Sequence, residues 1–192
     1  MTVTTASRAP HGKHGTTFAE TVHLRDGTHL VAVGQVIAGN DRIAVADLLR
    51  SGVRALITSR ALLPGAIATL ERVVEHHARD HRDDALAAVV ALIAIRPGDD
   101  HLDFVGAGQL HCAIVDSGFA ERERLHGRGA ALGAGVAAPH DGASIAHRVH
   151  RHDAILASTV AFDPALLGAA NAETILERAG ANDASVALIQ VD

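Results

Sequence analysis

The sequence predicts an α+β fold in which helices cover antiparallel sheets, and three observations carry that expectation. The hydrophobic period changes from two to about 3.6 and back again along the chain. The order of these runs is two strands, two helices, several strands, a short helix and a last strand, which is a layered α+β pattern. Turn pairs such as Asp26-Gly27 and Pro97-Gly98 separate successive strand-like runs. The building material is aliphatic: 48% of the 192 residues are hydrophobic, but only 2% are aromatic, with no Trp or Tyr. Val, Leu, Ile and Ala must therefore make the core, and the length suits one domain able to bury a substantial one.

Taken in order, residues 1–15 are rich in Thr, Gly, Ala and His, with almost no apolar pattern. They read as a flexible lead-in to a single domain spanning residues 16–192. Thr17–Leu24 and Thr28–Gln35 alternate as strands do, and Asp26-Gly27 joins them as a hairpin. In Asn40–Leu63, Ile43, Ala46, Leu49, Val53, Leu56 and Ile57 recur at helical spacing, with Asn40 or Asp41 available as N-cap. Pro64 opens a second helix with the stripe Ile67, Leu70, Val73, Val74 and His77. The continuous apolar run Ala85–Ile95 predicts a central strand buried on both faces.

Leu102–Val105, Leu110–Val115 and a weaker Arg122–Leu125 follow as strands, ahead of a glycine- and alanine-rich loop over Gly127–Gly142. Ile145–His150 and Ala154–Thr159 are further strands. Asp163-Pro164 starts a helical turn, Asn171–Ala179 is a short helix capped by Asn171, and Ala184–Val191 closes the chain as a strand. No internal repeat is visible.

Charge and composition narrow the function classes. A formal net charge of -5 and a pI near 6.2 argue against a nucleic-acid partner, which favours a basic stripe. The longest apolar run is far short of the roughly 20 residues that cross a bilayer, and no apolar signal core opens the chain. Cys112 is the one cysteine, so an intrachain disulfide is excluded and a reducing, cytoplasmic setting is expected.

Five segments, in order, resemble the PPM-type metal-dependent serine/threonine phosphatases, in particular the compact bacterial branch of sporulation and stress-response signalling. They are Leu30–Ala46; Val105-Gly106-Ala107-Gly108-Gln109; Ala131-Leu132-Gly133-Ala134-Gly135-Val136; His152-Asp153-Ala154-Ile155-Leu156-Ala157-Ser158-Thr159; and Asn182-Asp183-Ala184-Ser185-Val186. The resemblance covers the chain from about Thr17 onward. It implies a β-sandwich of mainly antiparallel sheets flanked by helices, with a metal site at one end. In that family two Mg²⁺ or Mn²⁺ ions held by aspartates activate a bridging water.

Carried over to this chain, the family's acidic positions fall on Glu20, on Gln35 (followed by Val36 where a glycine is usual), on Val160 and on Asn182, with Asp183 beside it. Hard cations need carboxylates to offset their charge. Gln35 offers a neutral amide oxygen, Val160 offers nothing, and Asn182 is neutral. The glycine-rich turn after the second strand is represented by Ala38-Gly39-Asn40. Glu20, Gln35, Asn182 and Asp183 therefore stand as the remnants of a degenerate metal site, and no residue is assigned a catalytic role.

Plainer readings accompany these. Glu20 alone in a strand is more often a surface acid than a ligand. His77 and His81 share a helix face, and His150 and His152 share a strand face, spacings that can chelate Zn²⁺. Without cysteines beside them, surface histidines are the expectation. Gly106-Ala107-Gly108 precedes a strand, so it lacks the helix N-terminus of a phosphate cradle. Cys112, mid-strand among apolar neighbours, reads as a small buried hydrophobe.

Three functional expectations result. The first is a pseudophosphatase: a regulatory, protein-binding domain with the phosphatase fold, no competent dinuclear site and no cofactor. Its partner would be a phosphorylatable anti-sigma-factor antagonist or a similar serine-switch protein. The second is an active Mn- or Mg-dependent phosphoserine/phosphothreonine phosphatase. The third is a self-assembling structural domain, a homo-oligomer paired through edge strands such as the last one.

Overall fold

A computed structural model describes all residues except 10–14, 57–62, 128, 134–143 and 162–170. Its elements in order are β1 (Thr2–Arg8), β2 (Thr17–His23), β3 (His29–Ala38), α1 (Arg42–Leu56), α2 (Leu63–His81), β4 (Ala87–Ile95), β5 (His101–Ala107), β6 (His111–Val115), β7 (Glu121–Leu125), β8 (Ile145–Arg148), β9 (Ala154–Ser158), α3 (Ala172–Ala179) and β10 (Ala184–Gln190). They form two five-stranded antiparallel sheets, ordered β2-β3-β4-β5-β8 and β1-β10-β9-β6-β7.

Strand parity decides which residues join which layer. From β4, Ala88, Val90 and Leu92 pack under Val45, Leu49 and Val53 of α1 and Ile67, Leu70 and Val74 of α2. The alternate residues Ala91, Ile93 and Ile95 meet Ile155, Ala157, Ala187 and Ile189 of the other sheet. That other sheet turns Leu156, Val186 and Leu188 outward against Ile175 and Leu176 of α3. The order of layers is helices, sheet, sheet, helix, and β4 is the two-face-buried central strand its composition predicts.

Local chemistry explains the helix ends. The Asp41 carboxylate accepts from the Ala44 N–H (3.4 Å) at the start of α1. Asn171 caps α3 by accepting from Thr174 N–H at 2.9 Å, and Gly180 ends it at φ 60° with its N–H on the Glu177 carbonyl. The expected extension of the first helix beyond Leu56, most of the loop after Gly133 and the turn at Asp163-Pro164 lie outside the described residues.

Two expectations change. Residues 2–8, read as part of a flexible lead-in, form β1, paired in register with β10 from Thr2↔Gln190 to Arg8↔Ala184. Their Thr-rich alternation carries little apolar signal because β1 is an edge strand, ordered by a partner at the far end of the sequence. The last strand is correspondingly no edge: β10 lies between β1 and β9, and the edges are β1, β7, β2 and β8.

Candidate functional site

At one end of the sandwich the two sheets are joined by a small polar cluster. Thr17 pairs directly with Gln35 across β2–β3, so their side chains share a face. It is the inter-sheet face, since Val31 and Val33, in step with Gln35, belong to the core between the sheets. From the facing sheet Asp183 and Ser185 enter at the start of β10. Thr16 N–H donates to both Asp183 oxygens (2.9 and 3.2 Å), its hydroxyl donates to Oδ2 at 2.6 Å, and the Thr17 hydroxyl donates to Oδ1 at 3.4 Å.

A line of hydroxyls runs into that carboxylate. Ser185 Oγ donates to Thr17 Oγ1 at 2.9 Å. Ser7 Oγ lies 2.7 Å from Ser185 Oγ and accepts from Ala19 N–H at 3.1 Å. Because the Ser185 proton is spent on Thr17, the Ser7 proton points to Ser185. Each hydroxyl therefore donates to the next, and Asp183 accepts at the end. Thr17 and Ser185 are 2% and 0% exposed, where an unsatisfied hydroxyl would be costly. The approach is close: a Cβ on Gly15 would stand 2.4 Å from Asp183 Oδ1, so glycine is what lets the chain pass.

The residues expected at a metal site do not all meet here. Gln35 borders the cluster and Asp183 is its centre. Glu20 is elsewhere. It pairs with Ala32, three residues along β3 from Gln35, and shares the parity of Phe18 and Val22, which face the helices. There Arg54 clasps it with Nε and an Nη at 3.1 and 3.0 Å, and Arg50 Nε lies 3.2 Å away. Two guanidinium groups already offset its charge. Val36 is fully buried in the core beneath the helices, so it does not crowd the cluster; its N–H donates to the Thr16 carbonyl at 2.9 Å. Val160 packs on the α3 side, and Asn182 is exposed.

Sequence reasoning missed Thr16, Thr17, Ser7 and Ser185, because hydroxyl residues in strands carry no motif; only their nearness to Asp183 marks them. It also missed Asp83, a buried carboxylate that accepts from Asn40 N–H at 2.7 Å and fixes the turn after β3. Gly39 sits in that turn at φ 116°, a region open to glycine. Cys112 is buried and its thiol is pushed up to about 12 by burial, as an inert core residue should be.

The cluster's chemistry is that of a clamp. Among the described residues, two divalent ions placed there would meet one carboxylate, already accepting from Thr16 and Thr17, together with hydroxyls and an amide. Among the described residues there is no group of three or more His, Cys, Asp or Glu side chains placed to hold a metal. No helix is long and apolar enough to cross a membrane among those residues.

Neither a protein-family model nor a curated protein sequence matches the chain. Solved structures do. A bacterial serine phosphatase carrying a single substitution has a TM-score of 0.78 at 9% identity, over 100% of this chain and 99% of that one. RsbX in complex with magnesium has a TM-score of 0.71 at 10% identity, over 99% and 94%. The RsbU and RsbW domains of a Mycobacterium tuberculosis protein give 0.75 at 14% identity; the match covers 99% of this chain and 61% of that one. At such identities the likeness is one of fold, and it agrees with the layers of sheets and helices described above. The chain has the α+β sandwich fold of the bacterial PPM-type, or PP2C-type, serine phosphatases.

Proposed function

We propose that this domain is a pseudophosphatase: a phosphatase fold without a working dinuclear centre, acting in the cytoplasm as a regulatory module that binds a protein. One observation carries the reading. Asp183 is the acid in the polar cluster, and Thr16 and Thr17 hydrogen-bond to its oxygens. Two divalent cations a few ångströms apart repel strongly, and the single carboxylate that the described residues bring to this cluster leaves most of that charge uncompensated. Glu20, the other acid expected there, is engaged by Arg50 and Arg54 on the opposite face of its strand. The described residues of the cluster do not fit a pair of Mg²⁺ or Mn²⁺ ions, and no catalytic step is derived through them.

The fold's company supports a protein partner. One of the similar structures carries an RsbU domain together with an RsbW domain. A phosphorylatable anti-sigma-factor antagonist, or a comparable serine-switch protein, is the partner we assign. Calorimetric titration of Mn²⁺ into the protein tests the metal half of this reading. The expected result is no pair of tight sites, and the same isotherm for Asp183→Asn. Two tight sites that vanish in Asp183→Asn would overturn it. Sedimentation with such an antagonist in its phosphorylated form tests the other half: a complex that keeps its phosphate is expected, and Mn²⁺-dependent release of phosphate is the opposing result.

A further inference from the structure

About 20 Å along β2 from the Asp183 cluster, at six residues of roughly 3.4 Å each, the same hairpin carries a second polar pair. His23 and His29 are the last register pair before the turn. Their ring centroids are 4.3 Å apart and the planes cross at 75°. His29 Nδ1 is buried with no hydrogen-bond partner, an orphan whose lone pair or proton goes unused. The turn beneath is pinned by Leu24 N–H on the Thr28 carbonyl (2.8 Å) and Thr28 N–H on the Asp26 carboxylate (3.0 Å). The pair is therefore held on a rigid support.

The geometry points to a metal site: we propose that His23 and His29 together chelate one late first-row divalent ion, Zn²⁺ being the reference case, through one imidazole nitrogen each. An imidazole lone pair lies in the ring plane, so an ion bound by both rings must lie on the line where the two planes meet. Centroids 4.3 Å apart bring both rings within reach of one ion at Zn–N bonds of about 2.0–2.1 Å once side-chain rotation turns the edge-to-face contact so that each ring aims a nitrogen at it. The rival pair does not meet this condition. His77 and His81 on α2 are stacked at 20° and 4.0 Å, so their planes converge far outside bonding distance, and His81 Nδ1 is engaged by the His77 carbonyl at 3.0 Å.

Exposure and charge agree with this assignment. His23 is exposed, which leaves a path for an ion and for water to complete its shell. Burial first, then the neighbouring His23 and the Met1 amine, holds His29 below its ordinary value. The Met1 amine, which would repel a cation, is ion-paired with Asp192. Imidazole nitrogens favour Zn²⁺, Ni²⁺ or Cu²⁺ over the hard ions of the phosphatase family, so this site is distinct in chemistry as well as in place.

Calorimetry with Zn²⁺ at pH 7.5 tests the assignment on the whole chain. One Zn²⁺ per chain is expected, lost in His23→Ala and in His29→Gln and unchanged in His77→Ala and Asp183→Asn. An isotherm that survives His23→Ala, or one that is lost in His77→Ala or Asp183→Asn instead, overturns the proposal, as does the absence of Zn²⁺ binding to the unaltered chain. His23 is exposed, so its variant retains the fold and keeps the experiment decisive even if His29→Gln is destabilised.

Discussion

Asp183 adopts a left-handed backbone conformation, φ 54°, which aspartate tolerates better than most residues. That conformation brings its carboxylate onto the Thr16 N–H and hydroxyl and so joins the end of one sheet to the start of the other. Thr16→Val keeps the backbone bond and removes the charge-assisted hydroxyl. A loss of about 1–3 kcal/mol in urea denaturation is expected, and no change would mean the clamp is ornamental. His29 gives the pH dependence at this scale. Its folded pKa is lowered, chiefly by burial, so the unfolded chain takes up that proton first as pH falls. With EDTA present, this contribution is intact above the ordinary value of 6.5 and is lost as pH drops through the lowered one. His29→Gln should flatten the stability profile in that window; an unchanged profile would assign the slope to other groups. At this scale the sequence was only half legible. Gln35 borders the cluster and Asp183 is its centre. Glu20 lies outside it, because face assignment depends on strand parity, and a slip along β2 exchanges a cluster position for one under α1.

Elements were far easier to read, since period is a local property. The hairpin β2–β3, the helix stripes, the two-face-buried β4 and the Asn171 cap all follow from short-range signals. The exception is β1. Thr2–Arg8 has no apolar alternation to announce a strand, and its order comes from β10, from Thr4 Oγ1 accepting the Ala172 N–H at 3.1 Å, and from Ser7 reaching Ala19. Removing residues 1–9 would strip the edge of β10, expose its ladder and break the hydroxyl line. A lower melting temperature and aggregation by light scattering are expected; a truncated chain that melts like the intact one would make β1 dispensable. Glu20 belongs to this scale too, as a tie between β2 and α1. Glu20→Ala should cost about 1 kcal/mol or less, because Arg54 is largely exposed, and should leave Mn²⁺ behaviour unaltered.

Over the whole molecule, two sheets and their covering helices reproduce a phosphatase scaffold while one end of the sandwich is closed by hydrogen bonds. The hydroxyl line, the Thr16–Asp183 clamp and the Gly15 passage tie β1, β2 and β10 together. The overall architecture was legible because layer order follows from the order of periods. What occupied the sandwich end was not, because hydroxyl side chains acquire meaning only through neighbours more than 150 positions away. The most direct test is hydrolysis of a simple phosphomonoester by the intact chain with Mn²⁺ in excess. The expected rate equals that of Mn²⁺ in buffer and is identical for Asp183→Asn. Metal-dependent turnover that collapses in Asp183→Asn would contradict it.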